Sequence, residues 1–224
     1  MSANENELAE ELLAVVCAMQ EYRLNVGTSG NASARYDGGF LVTPSGVPPE
    51  CCCSANMVKM AMDGAYAGEA APSSEWRIHR DIYKHFPETG AVIHAHSPFA
   101  TALACQRTDI PPFHYMIATF GGESVRCAAY ATFGTEALSK NVLAALAGRS
   151  ACLLANHGMV VTGRNLAHAL ACAVEFETLC EQYWRTCLLG APVLLTEKEM
   201  ADALEHFRHY GAQAFRPLAP QPVL

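Results

Sequence analysis

The chain has 224 residues and a formal net charge of −7, with 51% hydrophobic and 17% charged residues. This length and composition are typical of a compact globular protein with a sizeable core, and they exclude a disordered chain. The acidic balance without any Lys/Arg run argues against a nucleic-acid partner, and the absence of about 18 consecutive apolar residues argues against a membrane span.

Hydrophobic periodicity and turn signals predict an alternation of helices and strands. Apolar residues at a 3.6-residue period indicate helices, and short β-branched or apolar runs between Gly, Pro, Asn and Asp indicate strands. In chain order we predict a helix at 7–24, strands at 32–36, 40–44 and 58–62, a helix at 75–86, a strand at 90–93 that runs into His94-Ala95-His96, a helix from 98 to 105, a helix entered at Gly134-Thr135 and ending near 146, two strands within 151–162, a helix from Asn165 to about 189, and a helix at 197–210.

The connections between these elements indicate the architecture. Asp37-Gly38-Gly39 is a hairpin signal, and several strands follow one another directly. This favours a largely antiparallel sheet with covering helices over a doubly wound βαβ array. Ser74 and Asn165 are the expected N-caps of their helices. Without a repeat or a linker, we expect one mixed α/β domain over residues 1–224, with a loosely held tail at 212–224.

Three histidines follow predicted strands. His94 and His96 are two residues apart, so their side chains leave the same face of a strand. His157 follows the apolar run 152–155 in a turn. Three imidazoles with an open fourth position are the arrangement of a catalytic zinc, although these residues alone also fit a polar strand end with unrelated histidines. Five others match no ligand position and are interpreted as helix-surface or core residues: His79, His85, His168, His206 and His209.

Three short loops have the composition of an anion site. Gly30-Asn31, Ser45-Gly46 and Ser73-Ser74 combine small residues with amides and hydroxyls, and the last pair precedes a helix, where free N–H groups favour a phosphate. Each loop taken alone is also an ordinary turn or cap. Glu75 is either a first-turn residue that complements the helix dipole or, beside an anion loop and a metal, a proton-transfer group.

The cysteines and the N-terminus bear on the compartment. Residues 1–7 lack the basic and apolar regions of a signal peptide. Ten cysteines are present, without a Cys-x-x-Cys pair, so reduced thiols are the default. We therefore expect a cytoplasmic protein. The role of Cys51–Cys53 stays open.

Seven motifs occur together in one order along the chain. They are Gly27-Thr28-Ser29-Gly30-Asn31, Thr43-Pro44-Ser45-Gly46, Pro72-Ser73-Ser74-Glu75-Trp76, His94-Ala95-His96, His114-Tyr115-Met116-Ile117, Tyr130-Ala131-Thr132-Phe133-Gly134-Thr135 and Asn156-His157-Gly158. In this order and spacing the chain resembles the class II aldolase/adducin family over about residues 7–211. The resemblance implies a three-layer α/β/α fold around a mixed, largely antiparallel sheet. It also implies a C4 homotetramer with active sites between subunits.

The same resemblance implies the roles of individual residues. One zinc ion per subunit is expected on His94, His96 and His157, with Glu75 as an acid/base that can itself approach the metal. Tyr115 is expected to take the C4 hydroxyl proton of the substrate. The implied phosphate-binding positions are Gly30, Asn31, Ser45, Gly46, Ser73 and Ser74, and the aldehyde end is lined by Phe133, Tyr115 and Tyr210, the tyrosines coming from across a subunit interface. Asn156 departs from the family, whose aldolases usually have His-His-Gly at 156–158.

The implied activity is zinc-dependent cleavage of a 2-ketose 1-phosphate of the L-fuculose 1-phosphate type. The products would be dihydroxyacetone phosphate and an aldehyde such as L-lactaldehyde. Alternatives within the family are cleavage of 5-deoxyribulose or 5-methylthioribulose 1-phosphate, sugar-phosphate 4-epimerisation and decarboxylation of a 3-keto-acid phosphate. A non-catalytic adducin-like binding module is a further alternative, disfavoured because all three histidines and Glu75 are present.

Overall fold

Eight strands form one sheet in the computed structural model, which describes residues 3–67 and 69–209. The strands are β1 (Asn31–Tyr36), β2 (Gly39–Val42), β3 (Val58–Ala61), β4 (Tyr66–Ala67), β5 (Ala91–Ala95), β6 (Cys127–Ala128), β7 (Ala151–Leu154) and β8 (Gly158–Gly163). The helices are α1 (Ala3–Glu21), α2 (Trp76–His85), α3 (Pro98–Ala104), α4 (Glu136–Leu146), α5 (Leu166–Leu189) and α6 (Glu197–His209), with short 3₁₀ helices at Pro49–Cys51, Ser54–Asn56 and Tyr115–Phe120.

The sheet order is β4-β3-β2-β1-β5-β8-β7-β6. All neighbouring strands are antiparallel except β6 and β7, which are parallel. The predicted hairpin at residues 37–39 joins β1 to β2, with Tyr36 opposite Gly39. The prediction of a mixed, largely antiparallel sheet is therefore confirmed.

Helices cover both faces of the sheet because the buried strands are apolar on both sides. On β5, Ile93 belongs to the apolar cluster that includes Phe176 of α5, whereas Val92 belongs to the cluster that includes Ile82 of α2. Helices α1 and α3 pack on the first face with α5, and α4 packs on the second face with α2. This is the expected three-layer α/β/α arrangement. Alternation along β5 directs His94 toward the same face as Val92.

The local predictions differ from the structure at a few points. Asn165 caps α5, and its side chain accepts the His168 N–H at 2.9 Å, as predicted. The prediction that Ser74 caps α2 is wrong. Glu75 holds the N-cap position without a capping side-chain bond, and the Trp76 N–H donates to the carbonyl oxygen of Ser73 at 3.0 Å. Strands β4 and β6 were not predicted, since two-residue strands carry no periodicity.

Two other predictions concern residues outside the described ranges, namely the roles of Tyr210 and of the tail at 212–224. Among the helices that the structure describes, none combines the length and the apolar character needed to cross a lipid bilayer.

Candidate active site

Four side chains meet at the end of β5, on the face of the sheet that α2 covers. His94 Nε2 lies 2.9 Å from His96 Nε2 and 2.9 Å from Glu75 Oε2, and His157 Nε2 lies 3.3 Å from Glu75 Oε1. The three imidazole ring centres are 4.8 Å apart in every pair. One ligand atom from each of the four side chains lies within 4.8 Å of the others. Residues 75, 94, 96 and 157 thus form one cluster that could hold a metal ion.

Backbone geometry explains how histidines from two segments converge. Strands β5 and β8 pair with Ala95 opposite Met159, so the turn before β8 lies beside the end of β5. Asn156 has a φ of 53°, a left-handed conformation that Asn adopts more readily than most residues. Gly158 allows the close approach, because a Cβ there would lie 2.3 Å from the carbonyl oxygen of Ala95. The tight turn therefore places His157 next to the His94–His96 pair.

A backbone carbonyl determines which nitrogen of His94 faces the cluster. The Nδ1 atom of His94 lies 2.9 Å from the carbonyl oxygen of Met159. A carbonyl only accepts, so Nδ1 carries the proton that is donated to it. In the neutral ring, Nε2 then has a lone pair directed at Glu75 and His96. Such an outer hydrogen bond is the usual way in which a metal-ligating histidine is oriented.

The electrostatics of the cluster favour an anionic Glu75 and mostly neutral histidines. Burial alone would raise the pKa of the Glu75 carboxyl, but the charge and hydrogen bond of His94, then His157 and Asn31, lower this pKa to about 2. Burial opposes protonation of His94, and the adjacent Glu75 carboxylate outweighs it, so the pKa of His94 is raised. Burial and then the charge of His94 lower the pKa of His96 and of His157 to about 4.

The donor set fits a divalent transition metal. Glu75 Oε1 is buried and has no hydrogen-bond partner among the described residues, which is costly for a carboxylate oxygen unless a cation or a proton meets it. Imidazole nitrogens with one carboxylate suit zinc, and also iron or manganese, depending on metal availability. The residues that would hold the ion are His94, His96 and His157, with Glu75 within reach.

An open cleft of about 340 Å³ leads to the cluster. Neither lysine nor arginine is among the lining residues in the described part of the chain, so neutral N–H and O–H groups would have to hold an anion there. The lining includes all the positions predicted for phosphate binding, namely Gly30, Asn31, Ser45, Gly46, Ser73 and Ser74. Glu75, His96, His157 and Phe133 also line it. His94 is fully buried behind this wall.

Backbone hydrogen bonds join the loop at Ser45-Gly46 to the segment that leads into Ser73-Ser74. The Ser45 N–H donates to the Ala71 carbonyl at 2.9 Å, and the Ser73 N–H donates to the Thr43 carbonyl at 3.0 Å. These two N–H groups are therefore committed. The N–H groups of Gly46 and Ser74, and the hydroxyls of Ser45 and Ser74, meet no acceptor among the described residues. They are the donors available for a phosphate, close to the positive N-terminal end of α2.

The loop 25–30 is held against the histidine strand. Asn25 Oδ1 accepts the backbone N–H of His96 at 3.2 Å. Gly30 has a φ of 76°, and a Cβ on it would lie 2.2 Å from the same Asn25 oxygen. The absence of a side chain at residue 30 thus lets the loop 25–30 and the histidine cluster lie side by side.

Further cleft residues were not singled out from the sequence. Tyr130 lines the cleft, and the Arg107 guanidinium lies 5.5 Å from the centre of its ring. Arg107 also donates from Nε to Asn156 Oδ1 at 2.5 Å. Both Arg107 and Asn156 have left-handed backbones, with φ of 55° and 53°. Sequence reasoning noted the departure at Asn156 but had no signal for its distant partner, which is 49 residues away.

Of the two tyrosines predicted for the aldehyde end, the one that the structure describes, Tyr115, does not reach the cleft of its own chain. Tyr115 is exposed and does not line the cleft. It stacks instead on Phe207, with ring centres 6.2 Å apart, beside a second cavity lined also by Met116, Ala203 and His206. Tyr210 lies outside the described residues. Phe133 does line the cleft, with an exposed side chain.

A fourth histidine lies behind the cluster. His79 on α2 is fully buried and hydrogen-bonds with Asn31 and Ser33. Burial, followed by the charge of His94, lowers the pKa of His79 from 6.5 to about 3. Of the two sequence interpretations, helix surface or core, the structure confirms the core for this residue.

This pKa predicts a pH dependence of stability. Between the folded pKa of about 3 and the unfolded value of 6.5, the unfolded chain binds a proton that the folded chain does not, so stability falls as the pH falls. Metal-free protein should therefore lose up to about 1.4 kcal/mol more per pH unit than its His79→Gln variant. Urea unfolding in the presence of a chelator, from pH 6.5 to about pH 4.5, measures both slopes. Equal slopes would contradict the prediction.

Comparison with known proteins places this site in context. The family model described as "Class II Aldolase and Adducin N-terminal domain" matches residues 10–184. A 5-methylthioribulose-1-phosphate/5-deoxyribulose-1-phosphate aldolase of Rhodospirillum rubrum is 49% identical over 88% of this chain and 89% of its own length. An L-fuculose phosphate aldolase of Escherichia coli K12 is 42% identical over 92% of this chain and 96% of its own. A solved L-fuculose 1-phosphate aldolase superposes with a TM-score of 0.86 at 38% identity, covering 90% of this chain and 96% of that one.

Proposed function

Because the chain belongs to the class II aldolase and adducin family, we propose that it cleaves a 2-ketose 1-phosphate of the L-fuculose type to dihydroxyacetone phosphate and an aldehyde such as L-lactaldehyde. The chain is an enzyme of the lyase class, because the relatives that match it over nearly its whole length are aldolases. The finer assignments of metal, substrate and residue roles that follow are our proposal.

The observation that carries the proposal is the placement of the four-residue cluster at the inner end of a cleft that is lined by neutral hydrogen-bond donors. Glu75, His94, His96 and His157 offer ligand atoms within 4.8 Å of one another, and the cleft wall carries the free donors of Ser74 and its neighbours. Cleavage of a ketose phosphate needs these two features next to each other. The cleft donors would bind the phosphate and so orient the reacting carbons beside the cluster, where the three histidines would hold a metal ion.

The reaction divides among the residues as follows. Breaking the bond between C3 and C4 requires the C4 hydroxyl to lose its proton, so that C4 and its oxygen become the aldehyde C=O. Tyr115 accepts that proton while its own hydroxyl proton passes to solvent. The remaining enediolate takes a proton at C3 to give dihydroxyacetone phosphate. Glu75, which is ionised in the free cluster, takes up this proton from the cleft solvent and transfers it to C3. The chemistry that a bound zinc, one per subunit, supplies is Lewis-acid stabilisation of the enediolate charge.

Tyr115 can take this part only if a second subunit supplies it. It does not line the cleft of its own chain, and its ring is exposed beside Phe207. We therefore include in the proposal a homotetramer with active sites at subunit interfaces, where Tyr115 and Tyr210 of a neighbour complete the aldehyde end. The proposal also includes a reducing cytoplasm, supported by ten free cysteines, and neither a nucleic-acid nor a membrane partner.

A second candidate substrate class is favoured by a specific finding. The Rhodospirillum rubrum relative, named for 5-methylthioribulose and 5-deoxyribulose 1-phosphates, is more identical to this chain than the Escherichia coli relative named for L-fuculose phosphate. The candidates differ only in the aldehyde that leaves. A change of this size in a pocket alters selectivity by about 1–3 kcal/mol.

The test is release of dihydroxyacetone phosphate by the zinc-loaded protein, coupled to NADH oxidation. L-fuculose 1-phosphate, 5-deoxyribulose 1-phosphate and 5-methylthioribulose 1-phosphate are compared by kcat/KM. Turnover above about 1 s⁻¹ on one of them supports the aldolase, and the ranking decides the substrate class. Release from none of the three by folded, zinc-replete protein would overturn the proposal in favour of the epimerase or decarboxylase.

A further inference from the structure

A chain of buried hydrogen bonds extends from Glu75 into the protein. The amide nitrogen of Asn31 donates to Glu75 Oε2 at 3.2 Å, and Asn31 Oδ1 lies 2.5 Å from His79 Nε2. His79 Nδ1 lies 2.6 Å from Ser33 Oγ, which lies 2.7 Å from the Tyr83 hydroxyl. All five side chains are buried, none of the residues being more than 7% exposed. The chain connects β1 with α2.

The chemistry of the groups allows one direction of donation. The Glu75 carboxylate only accepts, so the NH₂ group of Asn31 must face it and the carbonyl oxygen must face His79. His79 Nε2 must then carry a hydrogen and donate it. In the neutral ring, Nδ1 accepts from the Ser33 hydroxyl, and the Ser33 oxygen accepts from Tyr83. Every bond in the chain is therefore donated toward Glu75.

We propose that His79 is a positioning residue that fixes the orientation of the Asn31 amide and, through it, the Glu75 carboxylate. The proposal rests on the proposed function, since it concerns the acid/base role of Glu75. With Oε2 held by Asn31, the other oxygen, Oε1, has no hydrogen-bond partner among the described residues and lies 3.3 Å from His157 Nε2. Oε1 is therefore the oxygen that transfers the proton. The second N–H of the same amide meets no described acceptor, and Asn31 lines the cleft, so one amide group serves both the base and the substrate.

Without the His79 donor, the Asn31 amide could rotate. Its carbonyl oxygen would then face the carboxylate, placing two acceptors against each other. The Glu75 carboxylate would lose the one hydrogen bond that it accepts from a neutral group among the described residues. The carboxylate would no longer be held in one orientation. Loss of an outer hydrogen-bonding partner of this kind typically costs about 10–100-fold in activity.

The experiment compares His79→Leu, which removes the donor, with His79→Gln, whose amide can replace it. In the zinc-loaded full chain, His79→Leu should lower kcat by about 10–100-fold, with a smaller change in KM, and His79→Gln should recover most of the rate. In an Asn31→Ala background, His79→Leu should change kcat by less than about threefold, because its effect passes through Asn31.

A matched control separates positioning from general loosening of α2. Ser139→Ala removes a partly buried hydrogen bond that the Ser139 hydroxyl donates to Asp81 of this helix, 2.6 Å long and away from the cleft. It should lower the melting temperature without a comparable loss in kcat. A full loss of rate in Ser139→Ala, or an equal effect of His79→Leu with and without Asn31, would show a structural role only and overturn the proposal.

A readout independent of activity is the tautomer of His79. Long-range ¹H–¹⁵N spectra of zinc-loaded, ¹⁵N-histidine-labelled protein should show a neutral ring protonated at Nε2, assigned by its absence in His79→Gln. A ring protonated at Nδ1 would overturn the proposal. If no 2-ketose 1-phosphate were turned over, the proposed function would fail, whereas the spectrum would still decide whether His79 holds Asn31.

Discussion

Glu75→Gln is expected to lower kcat for aldol cleavage by about 10³-fold. General acid–base catalysis contributes about 10²–10⁴-fold, and an amide of the same size can neither take nor deliver the proton. The Asn31 donor and the three histidines remain, so zinc content should stay near one per chain. The NADH-coupled assay measures the rate, and elemental analysis measures the metal.

A half-reaction makes this prediction sharper. Exchange of the hydroxymethyl proton of dihydroxyacetone phosphate with deuterated water requires only Glu75 among the proposed proton-transfer groups. It should fall in parallel with cleavage in Glu75→Gln and should persist in Tyr115→Phe. The matched control is Glu136→Gln at the start of α4, where the glutamate is solvent-exposed and paired with Lys140. If Glu75→Gln kept cleavage and exchange rates within threefold of the unmodified protein, the proton transfer would belong to a different group.

His157→Ala is expected to abolish stable metal binding and to lower kcat by at least about 10³-fold, because the Lewis-acid contribution amounts to several kcal/mol. His157 is one of three imidazole donors, and its loss leaves His94 and His96 with Glu75. Zinc retained after dialysis against a weak chelator, measured per chain, should drop from near one to well below one, and added zinc should restore little activity.

The control for this variant is an exposed histidine outside the cluster. His85 lies at the end of α2 and is solvent-exposed, so His85→Ala should retain both zinc and rate. A His157→Ala protein that kept its zinc and its turnover would contradict the ligand assignment, and with it the convergence of the two segments as the basis of the site.

Several features could be predicted because they depend on residues close together in the chain. The strand before His94 is apolar and β-branched, the spacing of His94 and His96 places both on one face, and Asn165 supplies its own capping oxygen to the helix that follows. Each of these features depends only on residues within one or two helical turns, or within a few residues along a strand. The prediction that Ser74 caps α2 was wrong, although it also concerned neighbouring residues. The chain at 71–73 is held by backbone hydrogen bonds to residues 43–45 and enters α2 one residue later than predicted.

The sequence by itself therefore determined the order of the six helices and of six of the eight strands in the described residues. It also determined the largely antiparallel character of the sheet and, through co-ordered motifs, the family. Only the tertiary structure decided which side chains meet. Asn31 reaches Glu75 across 44 residues and His79 across 48, and Arg107 reaches Asn156 across 49. These contacts depend on how β1, β5 and α2 pack, and packing is a property of the whole core that no local pattern encodes. For this reason His79 looked like an ordinary helix residue until α2 was placed against the sheet.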